Sequence, residues 1–552
     1  MNKLSIYFHL PTLLLFYSAA YSQVTVGLMN YQPGNQNGYL LFTPTNYPST
    51  YLINKCGDTV HAWSHSGIGQ TAYLAPDGYL YRSVFTNNPY FSSGGGITGK
   101  IEKVGWNSNV SWSYTLSDTA NAIHHDFKVM PNGNILVIVW KKKDKLDTYN
   151  AGRDTINYTK RLWTEQIIEL QPTGVNTANV VWKWDLWDHL IQDIDFSRNN
   201  FGVVTQHPEL VNINYIGPFG SLTDWIHLNS VEYNPNLDQI LLSSRIFNEI
   251  WIIDHSTTTS QAASHSGGKS GKGGDLLYRW GNPKAYNRGT ISDQQFFGQH
   301  NARWILPGYP GQGNITVFNN GVNRPAGSYS TVDEIQTPVD LAGNYTLASN
   351  QPFGPLSPAS MYTAAVPTSF FSNHISGALR LKNGNTMMLT GANGIFTEVD
   401  SLKNIIWKYK NPVDGNGPVS QGSSIFTNAV FNFSFLDTNY LGLSGHNLTP
   451  GKPIELNPVP SPCDSLGTSV HEANKIECTF QNPNDGNFEL RLSGIKHGKI
   501  EICNTLGEII YTKPIGYSQP SVMLNISTAP NGIYFLMVKT EGGIVTKKVM
   551  KE

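Results

Sequence analysis

A histidine that returns at the head of a strand-and-turn pattern constrains this chain more than any other feature. The pattern is clearest in Gln299-His300-Asn301-Ala302-Arg303-Trp304-Ile305-Leu306-Pro307. It recurs as His124-His125-Asp126-Phe127-Lys128-Val129-Met130-Pro131 and as His227-Leu228-Asn229-Ser230-Val231-Glu232-Tyr233-Asn234-Pro235. A fourth copy is His374-Ile375-Ser376-Gly377-Ala378-Leu379-Arg380-Leu381, followed by a Lys382-Asn383-Gly384 turn. From His124 to Pro131 is seven positions, as from His300 to Pro307, and Pro235 comes one later. A second element recurs with it, a pair of aromatics two apart: Trp112 and Tyr114, Trp182 and Trp184, Tyr278 and Trp280, Trp407 and Tyr409. Residues two apart share one face of a strand, so each pair marks a further strand of its unit.

Each unit then holds a histidine strand, a turn, two further strands and an aromatic strand. Four antiparallel strands per repeat predict a propeller blade. Units begin near Gly69, His124, His227, His300, His374 and Gln421, which predicts an all-β chain with a six-bladed β-propeller over residues 23–450. Strands within residues 24–65 are expected to complete the last blade and leave no open edge. Charged residues are only 14% of the chain while aromatics reach 12% and glycines number 52, a balance that favours turn-rich β structure over helices. A net charge of -1 without a long basic run gives nucleic acid no footing.

The ends of the chain read differently. Lys3, an apolar run over residues 10–16 and Ala20-Tyr21-Ser22 form a secretory signal over residues 1–22. No later segment is long enough to span a membrane. Residues 451–469 are a proline-rich linker, and residues 470–552 predict a small Ig-like β-sandwich of about seven short strands. Three of the four cysteines, Cys463, Cys478 and Cys503, lie near the C-terminus, where one disulfide is allowed and its pairing is open. Residues 256–274, rich in Ser, Thr, Gly and Lys, lack the full phosphate-loop spacing and read as a flexible loop.

Innermost blade strands line the central channel, so histidines at one register converge at one mouth of it. Arg245 follows His227 by eighteen residues, across a hairpin that brings its two ends together. A guanidinium beside imidazoles, with few carboxylates, suits a tetrahedral oxyanion and not a metal. His374 reads as a channel-wall residue, and His61, His65, His189, His207 and His255 as structural. The aromatic pairs read as blade core, and Asp126 as a structural hydrogen-bond partner.

These residues carry a resemblance. The His227 hairpin with Arg245, the Gln299-His300-Asn301 and His124-His125-Asp126 strands, Phe318-Asn319-Asn320-Gly321, Arg324-Pro325 and Tyr329-Ser330 resemble the aryl-sulfate sulfotransferase family over most of residues 60–445. The resemblance implies a six-bladed propeller that moves a sulfuryl group from a phenolic sulfate ester to a phenolic acceptor. It implies a ping-pong mechanism through a sulfohistidine, with no nucleotide donor, cofactor or metal. Carried over by residue, His300 matches the nucleophile, while His227, Arg245 and an early histidine match the sulfuryl-binding and acid/base set. His124 is chosen over His125 because its register equals that of His300. Asn229 and His125 are expected as substrate contacts. The chain before His124 is too short for the extra N-terminal β-domain of some members, and no cysteine lies between Arg245 and His300.

The C-terminal segment carries Asn482-Pro483-Asn484-Asp485-Gly486, Asn504 with Gly507, Gly532-Ile533-Tyr534-Phe535 and a basic end at Lys547-Lys548. It resembles the C-terminal sorting domain of type IX secretion cargo. That implies the secretion machinery as a partner, passage through the outer membrane to the cell surface or medium, and later removal of the domain. Substrate identities and any homo-oligomer are left open. Two other readings are a metal-dependent propeller hydrolase and a secreted binding propeller without chemistry.

Overall fold

Alternating apolar residues separated by Pro, Asn and Gly turns dictate short strands, and short strands are what form. The computed structural model describes residues 24–91, 95–154, 161–218, 223–459, 463, 477–493, 498–505, 507–516, 519–540 and 543–552. The secretory segment expected at residues 1–22 lies outside the described residues. Strand accounts for 44% and helix for 7%, so the chain is all-β, with many small sheets. It divides into two compact units, residues 1–459 and 460–552.

The first unit contains six antiparallel sheets of four or five strands. In chain order their innermost strands are Gly69–Leu74, Asn121–Val129, Leu228–Asn234, His300–Trp304, Gly377–Arg380 and Val430–Leu436. These six strands neighbour one another in that order, and the last neighbours the first, which closes a ring. The sixth sheet is built from both ends of the unit: Val430–Leu436 pairs with Tyr39–Pro44, which leads out to Ser49–Ile53 and Thr59–Ser64. The early strand Gly27–Tyr31 instead adds to the outer edge of the fifth sheet, on Ile405–Lys410. The last innermost strand begins at Val430 and not near Gln421, because residues 411–429 are spent on two short paired segments and turns.

The core lies where sheets face one another. Leu136, Ile138, Trp182 and Trp184 of the second sheet pack on Leu242, Trp251 and Ile253 of the third. The aromatic pairs occupy the fourth strand of their sheets, Val110–Thr115, Thr177–Asp185, Tyr278–Trp280 and Ile405–Lys410, the last covered by Gly27–Tyr31. Their polar atoms reach the next sheet or its connections. Trp112 Nε1 donates to Thr177 O, Trp182 Nε1 to Thr257 Oγ1, Trp280 Nε1 to Pro355 O and Trp407 Nε1 to Lys55 O. A buried indole needs such a partner, so each pair both fills the core and pins two sheets at the rim.

One arginine ties the innermost strands together. Arg303 Nη2 donates to Asp126 Oδ2 at 2.8 Å and to the Tyr73 hydroxyl at 2.6 Å, while Nη1 donates to Val231 O at 2.8 Å. Asp126 Oδ1 accepts from Tyr73 at 2.7 Å, and Asn432 Nδ2 donates to the Tyr73 oxygen at 2.9 Å. Five of the six innermost strands meet in this one network. Burial opposes the charge on Arg303, but Tyr73, Asp126 and Glu232 together hold its pKa above the ordinary arginine value.

The second unit has two antiparallel sheets, of three and four strands, between Glu477 and Lys551. Phe488, Leu490, Ile500, Ile502, Leu536 and Val538 form its core. Cys478 and Cys503 are buried free thiols, so no disulfide joins either of them to Cys463. Residues 256–274 are also not a loose loop. Thr258 caps the short helix Thr259–Ala262, and Asp254 accepts backbone N–H bonds from Ser256 and Ser270, which folds the glycine-rich stretch back on itself. Among the described residues no helix is long and apolar enough to cross a membrane.

Removing Arg303 leaves Asp126 buried without its cation, a change that costs about 3–5 kcal/mol when one partner of a buried pair is lost. We expect Arg303→Met to lower the unfolding free energy of the first unit in urea by that amount, and the double variant with Asp126→Asn to recover part of the loss. A double variant no more stable than the single one would show that the charge pairing is not what holds the ring centre.

Candidate functional site

The heads of the innermost strands depart from regular β geometry. Pairing slips between Gly69 and Ala72, opposite His124–Asp126, between Leu228 and Ser230 and between His300 and Arg303. Such bulges re-aim side chains. His125, His227, Asn301 and Ile375 take φ values of 54°, 56°, 57° and 47°, in the left-handed region that non-glycine residues seldom enter. Each costs on the order of 1–3 kcal/mol, and such residues persist where the surroundings over-determine them. The strained positions thus coincide with the repeated histidine heads. The fourth copy differs from the expectation: the strand starts only at Gly377, and His374 sits in the preceding loop with an exposed side chain.

His300 is held in one tautomer. Asn320 Nδ2 donates to two carbonyls, Ser372 O at 2.8 Å and Ile375 O at 2.9 Å. That fixes which way the amide points, so Asn320 Oδ1 must face His300 Nδ1, at 2.7 Å. Gly298 O lies 3.0 Å from the same nitrogen. Both neighbours only accept, so Nδ1 carries the proton and Nε2 keeps its lone pair. The Ile375 N–H approaches that lone pair at 3.3 Å. Burial, reinforced by the Arg245 charge, pushes the His300 pKa well below the ordinary value. The imidazole is therefore neutral and its Nε2 bare.

His227 makes a second oriented imidazole. Its Nδ1–H donates to Asp224 Oδ2 at 2.6 Å, and both side chains are buried. Asp224 is set by a bridge to Trp163, at the start of a second-sheet strand. Arg245 directly follows the strand Gln239–Ser244, and its N–H donates to the His227 carbonyl at 3.1 Å, so the hairpin does return the guanidinium-bearing residue to the histidine. Burial lowers the Arg245 pKa, opposed by Asp224. The Arg245 charge is felt by His300, His125 and His374, which gathers these groups around one place.

The adjacent pair His124 and His125 divides its work. His124 turns outward: its ring stacks on Trp140 at 3.9 Å, and its Nε2 lies 2.8 Å from Glu165 Oε2. His125 turns inward, with its ring 4.5 Å from that of His227 and 5.7 Å from Phe431. The bulge and the positive φ at His125 produce this inversion, which strand register alone does not reveal. The two Nδ1 atoms are 2.7 Å apart, so one proton lies between them. Glu165, His124 and His125 therefore form a buried chain with two proton arrangements. With Glu165 ionised, His125 Nε2 is a base. When Nε2 takes a proton, the Nδ1 proton passes to His124 and the His124 Nε2 proton passes to Glu165. Burial favours the neutral carboxyl, and the Glu165 pKa is pushed well above the usual range. Gly96 lets the preceding loop pass over His125, since a Cβ there would sit 2.4 Å from Nε2.

Of the sequence candidates, His300, His227, Arg245 and His125 share one electrostatic neighbourhood. Asn229 does not offer its amide N–H to that space, because Nδ2 donates to Gln299 O at 2.7 Å and ties the third sheet to the fourth. Carboxylates are more numerous than expected, because Asp224 and Glu165 each bind an imidazole. Asn320, Asp224 and Glu165 went unassigned in the sequence reading. Asn320 stood inside the Phe318-Asn319-Asn320-Gly321 motif, and Asp224 three residues before His227. Glu165 gave a weaker signal, as one of two acids in the otherwise uncharged strand Leu162–Thr173. A cavity of about 720 Å³ lies at the other end of the ring, among the turn residues Pro76, Pro131 and Pro235, with Arg303 in its wall. The histidine heads do not line it.

Comparison with known proteins bears on this arrangement. The family model "Arylsulfotransferase (ASST)" matches residues 98–415, and "Secretion system C-terminal sorting domain" matches residues 479–552. No curated protein matches the chain. Among solved structures, a protein of unknown function from Bacteroides caccae is 10% identical, with 73% of this chain and 99% of that chain covered and a TM-score of 0.39. Virginiamycin B lyase from Staphylococcus aureus is 10% identical over 71% of this chain and 91% of that chain, with a TM-score of 0.32. The periplasmic gluconolactonase of Pseudomonas aeruginosa is 10% identical over 89% and 99%, with a TM-score of 0.36.

The depressed His300 pKa has a consequence for stability. Above the unfolded-state value of about 6.5 the imidazole is neutral in both states and contributes no pH dependence. Below it the unfolded chain binds a proton that buried His300 refuses, so stability falls as pH falls. We expect His300→Gln to flatten the acid limb of stability against pH by about one proton, or ~1.4 kcal/mol per pH unit. Urea unfolding between pH 7 and 4.5 measures it; identical slopes for both proteins would mean that His300 protonates in the fold.

Proposed function

The chain belongs to the arylsulfotransferase family, and on that premise we propose that it transfers a sulfuryl group from an aryl sulfate ester to a phenol. His300 is the nucleophile, and Arg245, His227 and His125 surround it. The observation that carries the reading is the Asn320 lock. It fixes the His300 proton on Nδ1 and leaves a buried, neutral Nε2 with an available lone pair. The six sheets are read as the blades of a propeller whose strand heads form the site.

In the first half-reaction, His300 Nε2 attacks sulfur. The N–S bond forms as the S–O bond to the phenol breaks, and the Ile375 N–H yields its contact with Nε2. Splitting the transfer in two steps avoids forcing one phenol directly against another's anionic ester. Arg245 neutralises the sulfuryl oxygens, an electrostatic role that is strongest in a site shielded from water. The leaving phenolate takes a proton from Nε2 of His227, whose Nδ1–H is held by Asp224 much as a carboxylate holds the histidine of a catalytic triad. In the second half, the acceptor phenol returns a proton to that imidazole and attacks sulfur. The N–S bond breaks and His300 is restored.

His125, and not His124, is the early histidine of this set, because it faces His227 while His124 is stacked on Trp140. His124 and Glu165 act behind it as proton partners and positioning residues. Phe431 offers an aromatic face beside His125 for a phenol ring. The C-terminal sorting domain implies export to the surface or medium. With the signal segment expected at residues 1–22, that makes the type IX machinery the proposed route.

A chromogenic aryl sulfate, incubated with and without phenol and chelator, tests the reading. We expect phenol-stimulated, chelator-resistant release of the chromophore. His300→Ala should lower kcat at least ~10³-fold, and sulfur label from the donor, retained on the parent protein without acceptor, should be lost. Asn320→Leu should lower kcat on the order of 10²-fold with little change in KM. Release that requires metal and ignores phenol, or label that persists on His300→Ala, would overturn the assignment.

A further inference from the structure

Away from the strand heads, at the rim between the second and third sheets, two histidines and an aspartate converge. His189 ends the short helix Leu186–His189 that follows the second sheet, while His265 and Asp275 belong to the stretch between Asp254 and Tyr278 of the third. His189 Nδ1 and His265 Nδ1 each lie 2.8 Å from the same oxygen, Asp275 Oδ1. All three atoms fall within 4.8 Å of one another.

The second nitrogen of His189 decides what this cluster is suited to. His189 Nε2 lies 2.8 Å from Ala262 O, and a carbonyl only accepts, so Nε2 carries a proton. His189 Nδ1 therefore faces the Asp275 oxygen, and a proton or a cation can lie between them. A metal-binding histidine typically donates its other N–H to a backbone carbonyl in this way, which fixes tautomer and ring together. The ring is further held by stacking on Trp184 at an interplanar angle of 6°. Gly274 leaves room for it, since a Cβ there would lie 2.6 Å from Nε2.

We propose that His189 Nδ1, His265 Nδ1 and Asp275 Oδ1 bind a zinc-class divalent cation, with water in the fourth position. Tetrahedral zinc with bonds of about 2.0 Å places ligand atoms roughly 3.3 Å apart, between the 2.8 Å contacts and the 4.8 Å limit of the cluster. Two imidazoles and a carboxylate are a borderline donor set that suits zinc over magnesium or calcium. His265 is 62% exposed, which supplies both an entry path and access for the water. The ion would clamp the glycine-rich stretch 256–274 onto the end of the second sheet. It is separate from the His300 site and takes no part in sulfuryl transfer.

The full chain, stripped with chelator and dialysed, is titrated with zinc chloride by calorimetry and its thermal midpoint followed. We expect one equivalent to bind and to raise the midpoint, since a ligand that binds only the folded state stabilises it. His265→Gln should lose that equivalent while its metal-free midpoint equals that of the parent. His227→Ala should keep it. Cobalt in place of zinc should give the intense visible bands of a four-coordinate site, absent in His265→Gln. Equal zinc uptake by the parent and His265→Gln, or a midpoint indifferent to zinc, would show a histidine–aspartate hydrogen-bond cluster and no metal site.

Discussion

A single guanidinium at the centre of the ring sets the terms for everything around it. Arg303 is buried, and its bonds to Tyr73, Asp126 and Val231 bind the fourth sheet to the first, second and third. Sheets that face each other through apolar side chains can slide by fractions of an ångström, because hydrophobic contact is not directional. Charge-assisted hydrogen bonds are directional and short-ranged. Once Arg303 is satisfied, the relative height of these strands is fixed, and so is the height of His300, three residues before it. The cost of stripping water from the guanidinium is offset only if every partner is in place. The ring centre is accordingly an all-or-none contact, and the strand heads inherit its precision.

That precision matters because the site consists of imidazoles whose proton positions decide what they can do. His300 and His227 have the same side chain and opposite assignments. Asn320 offers an oxygen that only accepts and carries no charge, which favours a neutral His300 with a bare Nε2. Asp224 offers a carboxyl oxygen to Nδ1 of His227. An amide beside one ring and a carboxylate beside the other thus give two neighbouring imidazoles different surroundings. The chain from Glu165 through His124 to His125 adds a third behaviour, in which a proton gained at the inner ring is balanced at a carboxyl far from it.

The sequence displayed the repeat, the closing of the ring by the N-terminal strands and the hairpin that joins His227 to Arg245, because all three follow from spacing. The aromatic pairs were legible for the same reason, as two-residue alternation on an outer strand. Spacing failed where the backbone leaves the strand. His124 shares its register with His300, yet the left-handed turn at His125 sends the neighbouring ring inward instead. Register likewise placed His374 at a strand head that in fact begins three residues later. Asn320, Glu165 and Asp224 were harder still. Asp224 and Asn320 are near in sequence or in the next strand, but only the backbone geometry at the strand heads aims them at His227 and His300, and Glu165 reaches His124 from the far side of its sheet.

The glycine-rich stretch 256–274 shows the converse. Its composition suggests freedom, yet glycine is what lets a chain follow a path that side chains would block. Gly268 has Asp254 Oδ2 within 2.6 Å of where a Cβ would sit, and Gly273 has Ser264 O within 2.1 Å. Small residues there mark close approach between backbone and polar groups, and polar contacts then take the place of an apolar core. Serving as both path and scaffold, such a stretch needs a fixed point at its far end, and Asp275 beside His189 is where the chain returns to the sheet. The ring thus appears twice built on one design: apolar packing brings sheets together, and a few buried polar groups, Arg303 at the axis and the His189–Asp275 pair at the rim, decide the register at which they stop.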